Sequence, residues 1–324
     1  MSTPPIQPSS LNRGYLYALA SAAVLSTTAI FIRYLTQTYH IPPLVLAFWR
    51  DAFVTLTLLL VLGLLSRHLL HVAPRHLPYL IIYGFVLALF NSTWTLSVAL
   101  NGAAVSTVMA YCSAGFTALL GWWFLKEYLD WGKILSVVLS LTGCLLVSGA
   151  LDQTIWNANV MGIVTGILSG LCYAIYSLMG RSAAQRGLNP WTTLLYTFGF
   201  AAIILLVFNL ASNGLLPGAA SKPADFFWLG NALAGWGILC LLAAGPTVLG
   251  FGLYNTSLSY LPSSIANLIA TLEPAFTTVS AYFLFGERLN GIQLTGSFMI
   301  LGSVIFLRIH ESRLAVHHSS PAQS

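Results

Sequence analysis

Charge is almost missing from this chain. Asp, Glu, Lys and Arg together supply 6% of its 324 residues, against roughly a quarter in soluble domains. A water-soluble fold does not tolerate that shortage beside 57% hydrophobic content. No core covers so much apolar surface, so lipid must cover part of it. Cysteine is also scarce. Cys112, Cys144, Cys172 and Cys240 all lie inside apolar segments with no two close together, which gives neither a zinc pattern nor a disulfide framework. Alternating strands are missing, which argues against a β-barrel. There is no Walker motif, no cluster of metal ligands, no nucleophile triad and no signature of a cofactor. The formal net charge of +5 comes from Lys and Arg scattered over short loops. They form no basic face, so nucleic acid is not an expected partner.

What remains is a series of apolar runs. A helix needs about 20 apolar residues to cross the hydrocarbon layer, and ten such runs are present. They cover 14–35, 44–65, 78–99, 103–125, 131–149, 160–180, 190–210, 232–254, 263–285 and 291–309. The expected fold is an all-α polytopic membrane bundle, in which helices satisfy their own backbone groups. The first run is too long for a signal peptide and nine more follow it. Residues 1–13 and 310–324 read as disordered tails, and 211–230, with Pro217, Gly218, Lys222 and Pro223, as the one long loop. With a cytoplasmic N-terminus, Arg13, Arg67, Arg75, Lys126, Lys133, Arg181, Arg186, Arg308 and Arg313 fall inside. Only Arg33, Arg50, Lys222 and Arg288 fall outside. The bias puts both termini in the cytoplasm.

The halves repeat. A shift of 148 brings Gly14 onto Gly162, Ser21 onto Ser169, Arg33 onto Arg181 and Pro42 onto Pro190. A shift of 160 brings Ala110 onto Ala270, Phe116 onto Phe276, Thr117 onto Thr277 and Glu127 onto Glu287. The repeats are expected over 14–150 and 158–309. Five spans each is an odd number, so the two repeats sit in the membrane with opposite orientation. Inverted repeats characterise secondary transporters, with the substrate site near the midplane between them.

Paired helix ends, Phe124-Leu125-Lys126-Glu127-Tyr128-Leu129 and Phe285-Gly286-Glu287-Arg288-Leu289, accompany the second-half stretch Leu272-Glu273-Pro274-Ala275-Phe276 and Arg50 near the start of the second span. In these features the chain resembles the drug/metabolite transporter superfamily, specifically its EamA-type members. It is similar in length and layout to bacterial aromatic amino acid exporters. Cys112-Ser113-Ala114-Gly115-Phe116 in the first half lacks the usual proline. The resemblance implies alternating-access transport of small metabolites, often export of amino acids or drugs, across a bacterial inner membrane. Its relatives include nucleotide-sugar and sugar-phosphate carriers. No Lys or Arg is expected at the midplane, which disfavours a phosphate-bearing substrate. A membrane-embedded transferase is the remaining alternative, without the acid and histidine clusters such enzymes show. The resemblance and the polar residues together point to a cavity lined by spans one, three, four, six, eight and nine.

Glu273 is the acid expected deepest in the membrane, where an ionised group is costly. It could exchange a proton, meet a substrate ammonium, or stand as a neutral acid bonded to backbone beside Pro274. Pro246 and Pro274 lie inside spans and favour kinks, as hinges or as fixed bends. Arg50 and Asp51 open the second span on the outer side as a salt bridge or gate, or Arg50 snorkels to the interface. Asn91, Trp94, Tyr111, Tyr173, Tyr176, Tyr254, Asn267 and Thr271 would furnish aromatic walls and a few hydrogen-bonding groups for a small organic solute. Each could equally serve helix packing. The partners expected are that solute, the lipid bilayer and, through Glu273, protons.

Overall fold

A computed structural model describes residues 8–147, 160–211, 215, 216, 218–285 and 291–319. They form thirteen α-helices and no strand among the described residues: α1 (Pro8–Leu25), α2 (Thr28–Tyr39), α3 (Pro43–Leu65), α4 (Leu77–Tyr111), α5 (Ser113–Phe124), α6 (Trp131–Val147), α7 (Val160–Gln185), α8 (Pro190–Ala211), α9 (Leu233–Leu242), α10 (Val248–Tyr260), α11 (Ser263–Ala270), α12 (Glu273–Phe285) and α13 (Gly291–Ser319). The fold is the ten-span bundle of two inverted five-helix repeats. Helices exceed spans because several spans are broken. The first is α1 with α2, the eighth α9 with α10, the ninth α11 with α12.

One helix runs through two spans. Along a straight helix Ser97 and Ser106 would lie about 13 Å apart at 1.5 Å per residue. Their hydroxyls instead hydrogen-bond at 2.8 Å. The chain therefore folds back within α4, and the third and fourth spans form a hairpin whose reversal contains Asn101-Gly102, a dipeptide that favours turns. Helix also begins at Pro8 and continues to Ser319, into stretches that read as tails. Positions 1–7, 148–159, 212–214, 217, 286–290 with Glu287 and Arg288, and 320–324 lie outside the described residues.

Polar side chains and prolines accompany three of the breaks. Pro246 has no N–H for the carbonyl of Leu242, four residues earlier. The helix widens to a π turn over Ala243–Thr247, and the Thr247 hydroxyl donates to that carbonyl at 2.9 Å. At the first break, Ser26 and Thr27 return their hydroxyls to the carbonyls of Ala23 and Val24 at 2.7 and 2.8 Å. The Ser26 carbonyl accepts Thr277 Oγ1 from α12 at 3.0 Å. In the ninth span the break falls at Thr271 and Leu272, and Pro274 stands in the first turn of α12, where a missing N–H costs little. The fourth span breaks at the repeat-related Cys112 although it has no proline.

Without water to drive apolar helices together, close backbone approach holds a bundle in lipid. The fifth and tenth spans cross glycine on glycine. A Cβ at Gly143 would lie 2.8 Å from the carbonyl of Gly296, and one at Gly296 2.7 Å from the carbonyl of Gly143. Leu56, Leu60, Leu64 and Leu65 of α3 are exposed, as a surface meeting lipid should be.

Candidate functional site

Two polar groups are buried in the bundle. The first lies where α5, α7, α10 and α11 converge. Asn267 of α11 gives its amide N–H to Ser177 Oγ at 3.0 Å and accepts Ser113 Oγ at 3.0 Å. Ser177 and Tyr254 share a bond of 2.7 Å. Ser113 opens α5 just past the first-repeat break, so both repeats meet here at a helix discontinuity. Aromatic rings wall the group. Tyr173 stacks on Phe90 at 5.0 Å and on Tyr254 at 5.7 Å. Tyr176 leans on Tyr83 at 4.7 Å and its hydroxyl bonds Asn255 Oδ1 at 3.3 Å. The group is closed: Asn267 and Ser177 are fully covered, and Tyr254 nearly so. A solute reaches it only if the repeats part.

Glu273 stands at the first residue of α12, directly after the break and half-buried. A carboxyl group is well placed at a helix N-terminus, where free N–H groups and the helix dipole favour negative charge. Its carboxyl faces the hydroxyl of Tyr111, so these two expected site residues belong together. Thr271 does not join Asn267 although the two are one turn apart. Its hydroxyl bonds Ser140 of α6 at 2.5 Å, and the fifth span takes it up.

The second group chooses between the alternatives for Arg50 and corrects the expectation that Glu273 is the one deep acid. Arg50 does not snorkel. It is the eighth residue of α3, about 10 Å along the helix, and 4% exposed. Asp51 beside it is fully covered, so Glu273 is not the only deep acid, and the membrane interior does hold a cation. Arg50 Nε donates to Asp51 Oδ1 at 3.3 Å, and Asn91 Nδ2 donates to Asp51 Oδ2 at 2.7 Å. Sequence spacing cannot reveal this, because Asn91 is brought to Asp51 from another helix. A cavity of about 320 Å³ opens just above, lined by Ile32, Thr36, His40, Ile41, Pro43, Leu46, Trp94, Thr95 and Val98. Trp94 faces this cavity rather than the tyrosine group.

The sequence does not single out Ser113, Ser177, Asn255 or Ser140, since hydroxyl and amide side chains are common in such helices. For Ser113 there was a signal: a shift of 160 places it on Glu273. Glu127, read as a helix end, does more. Its carboxylate accepts from the backbone N–H and hydroxyl of Ser263 at 2.6 and 2.6 Å, and from the hydroxyl of Ser264 at 2.6 Å. It caps α11 of the opposite repeat.

Known proteins share this architecture. The pattern of the EamA-like transporter family matches residues 12–149 and again 160–309. The threonine/homoserine exporter RhtA of Salmonella typhimurium is 26% identical over 260 residues, covering 78% of this chain and 79% of that one. An uncharacterized transporter of Archaeoglobus fulgidus is 26% identical over 223 residues, covering 68% of this chain and 73% of its own. A solved crystal structure superposes with a TM-score of 0.73 at 14% identity, covering 93% of this chain and 98% of that one.

Proposed function

The chain belongs to the EamA-like transporter family, and on that premise we propose that it exports small neutral or zwitterionic metabolites, amino acids first among them, by alternating access. The observation that carries this reading is the closed group at Asn267. There the discontinuous helices of both repeats meet in hydroxyl, amide and tyrosine side chains. Such a group recognises a small polar solute when the repeats part, and reseals by bonding to itself. Substrate polarity follows from charge. Arg50 is matched by Asp51, so the pair adds no net charge for a phosphate dianion such as a nucleotide sugar or sugar phosphate carries. The similarity to a threonine/homoserine exporter supports amino acids. The distribution of Lys and Arg supports cytoplasmic termini.

The test is flux. The purified protein in liposomes should exchange labelled threonine or homoserine against an internal pool at rates well above empty vesicles. Absence of exchange for all amino acids would overturn the substrate reading. Transport of lipophilic cations alone would replace it with drug export.

A further inference from the structure

Asp51 holds two partners and leaves each of them half satisfied. Arg50 spends Nε on Oδ1, and its Nη2 has no hydrogen-bond partner although the residue is 4% exposed. Asn91 must turn its NH2 to Oδ2, because a carboxylate only accepts. Its Oδ1 is thereby left over, buried and without a partner. Buried polar atoms are nearly always bonded, and an exception calls for an explanation. Here the two exceptions are of opposite kind, a cationic donor and a neutral acceptor. They are fixed side by side on the two oxygens of one carboxylate.

The cavity ends near this pair without being lined by it. Leu46 stands one turn before Arg50 on α3, and Trp94 and Thr95 stand one turn beyond Asn91 on α4. All three line the cavity, so its inner end lies about one helical turn along α3 and α4 from Arg50 and Asn91. Thr95 returns its hydroxyl to the Asn91 carbonyl at 2.7 Å, which fixes the wall between them.

We propose that Arg50 and Asn91 form a recognition subsite for an α-amino acid, distinct from the closed group at Asn267 and reached through this cavity. Arg50 Nη2 donates to the carboxylate of the solute. Asn91 Oδ1 accepts from its ammonium, with the Asp51 carboxylate close behind. Asp51 is the positioning residue that sets the spacing. Trp94 offers its ring to the side chain. The inference rests on the amino-acid reading above and adds where, and by which atoms, the zwitterion is told from its uncharged or singly charged analogues.

The experiment compares binding of labelled L-threonine with competition by L-threonine methyl ester, which keeps the ammonium and loses the anionic carboxylate. A charge-assisted hydrogen bond corresponds to about tenfold or more in affinity. Wild-type protein should prefer the acid over the ester by that factor. In Arg50→Gln the preference should vanish, with the acid weakened and the ester hardly changed. Arg50→Lys, which keeps the cation, should retain part of it, and thermal unfolding of both variants would confirm that they fold. Wild-type protein that binds acid and ester equally would overturn the subsite while leaving amino-acid transport standing. So would Arg50→Gln that folds and still discriminates. If wild-type protein binds no amino acid at all, the reading beneath it falls and the subsite with it.

Discussion

Glu127, at the end of the first repeat's broken span, accepts both the backbone N–H and the hydroxyl of Ser263, each at 2.6 Å. One side chain thereby caps a helix of the second repeat and ties it to the first. The chain bends to allow it. Lys126 takes a left-handed conformation with φ 56°, and Glu127 N–H returns to the carbonyl of Gly121 at 3.0 Å. A side chain at Gly121 would stand 2.8 Å from the Glu127 carboxylate.

Glu127→Gln is therefore expected to loosen the junction without emptying it. The amide oxygen still accepts one serine, while charge assistance and the second oxygen are lost, at a cost of about 1–3 kcal/mol. Thermal unfolding of the variant should shift down. A cysteine placed at Ser264 should also react faster with a water-soluble maleimide, because the repeats part more readily at this end. Unchanged labelling and unchanged unfolding would show that the cap is dispensable.

Gly143 and Gly296 give a sharper structural test. Gly143→Leu drives a branched side chain into the Gly296 carbonyl, since even a Cβ would lie at 2.8 Å. Overpacking costs about 1–3 kcal/mol and more where backbone cannot yield. The variant should unfold at lower temperature or fail to insert as a monodisperse species. The central group is built by other helices, so any Gly143→Ala protein that folds should keep its substrate preference. Loss of preference with intact folding would place the fifth span in recognition.

How far the sequence could be read is clear from particular residues. The ten crossings were legible because each needs a run of apolar residues, and the repeat because Glu127 and Pro42 recur at fixed shifts. The fold-back between Ser97 and Ser106 was legible as a boundary between spans, and Asn101-Gly102 marks it. The break at Cys112 was not, since no proline stands there. For Arg50 the sequence leaves pairing and snorkelling open for a physical reason. A cation eight residues into a helix snorkels or pairs according to what the neighbouring helices present, and Asp51 and Asn91 meet only in three dimensions. Thr271 was placed correctly along its helix but faces Ser140, because the break turns the helix at that residue.

Thr247 and Pro246 form a pair whose energetics can be separated. Thr247→Val removes the hydroxyl that serves the Leu242 carbonyl, and should destabilise the protein by about 1 kcal/mol. In a Pro246→Ala background the restored amide can bond that carbonyl itself. The same Thr247→Val change should then cost much less. A double-mutant cycle on thermal or denaturant unfolding measures the difference. Equal costs in both backgrounds would mean the hydroxyl does not stand in for the missing amide.

Glu273→Gln decides what the acid at the second break does. The substitution keeps the size and the hydrogen bonding toward Tyr111, and removes charge and titration. The position favours a working group: Glu273 is half-buried at the start of α12, faces Tyr111, and follows directly on the Asn267 helix. If it carries a proton through the cycle, proton-driven accumulation should be lost in liposomes, while exchange of substrate for substrate persists at near wild-type rate. If its carboxylate meets a substrate ammonium, exchange and binding should weaken together, by about tenfold for one charge-assisted bond. The loss should then be smaller for solutes without an amino group. Tyr111→Phe separates these further, since it removes the partner hydroxyl yet leaves a titratable acid. Proton coupling should survive in that variant with an altered pH profile. Near wild-type flux at every pH in Glu273→Gln would leave the residue as a neutral cap of α12 beside Pro274, with coupling sought elsewhere.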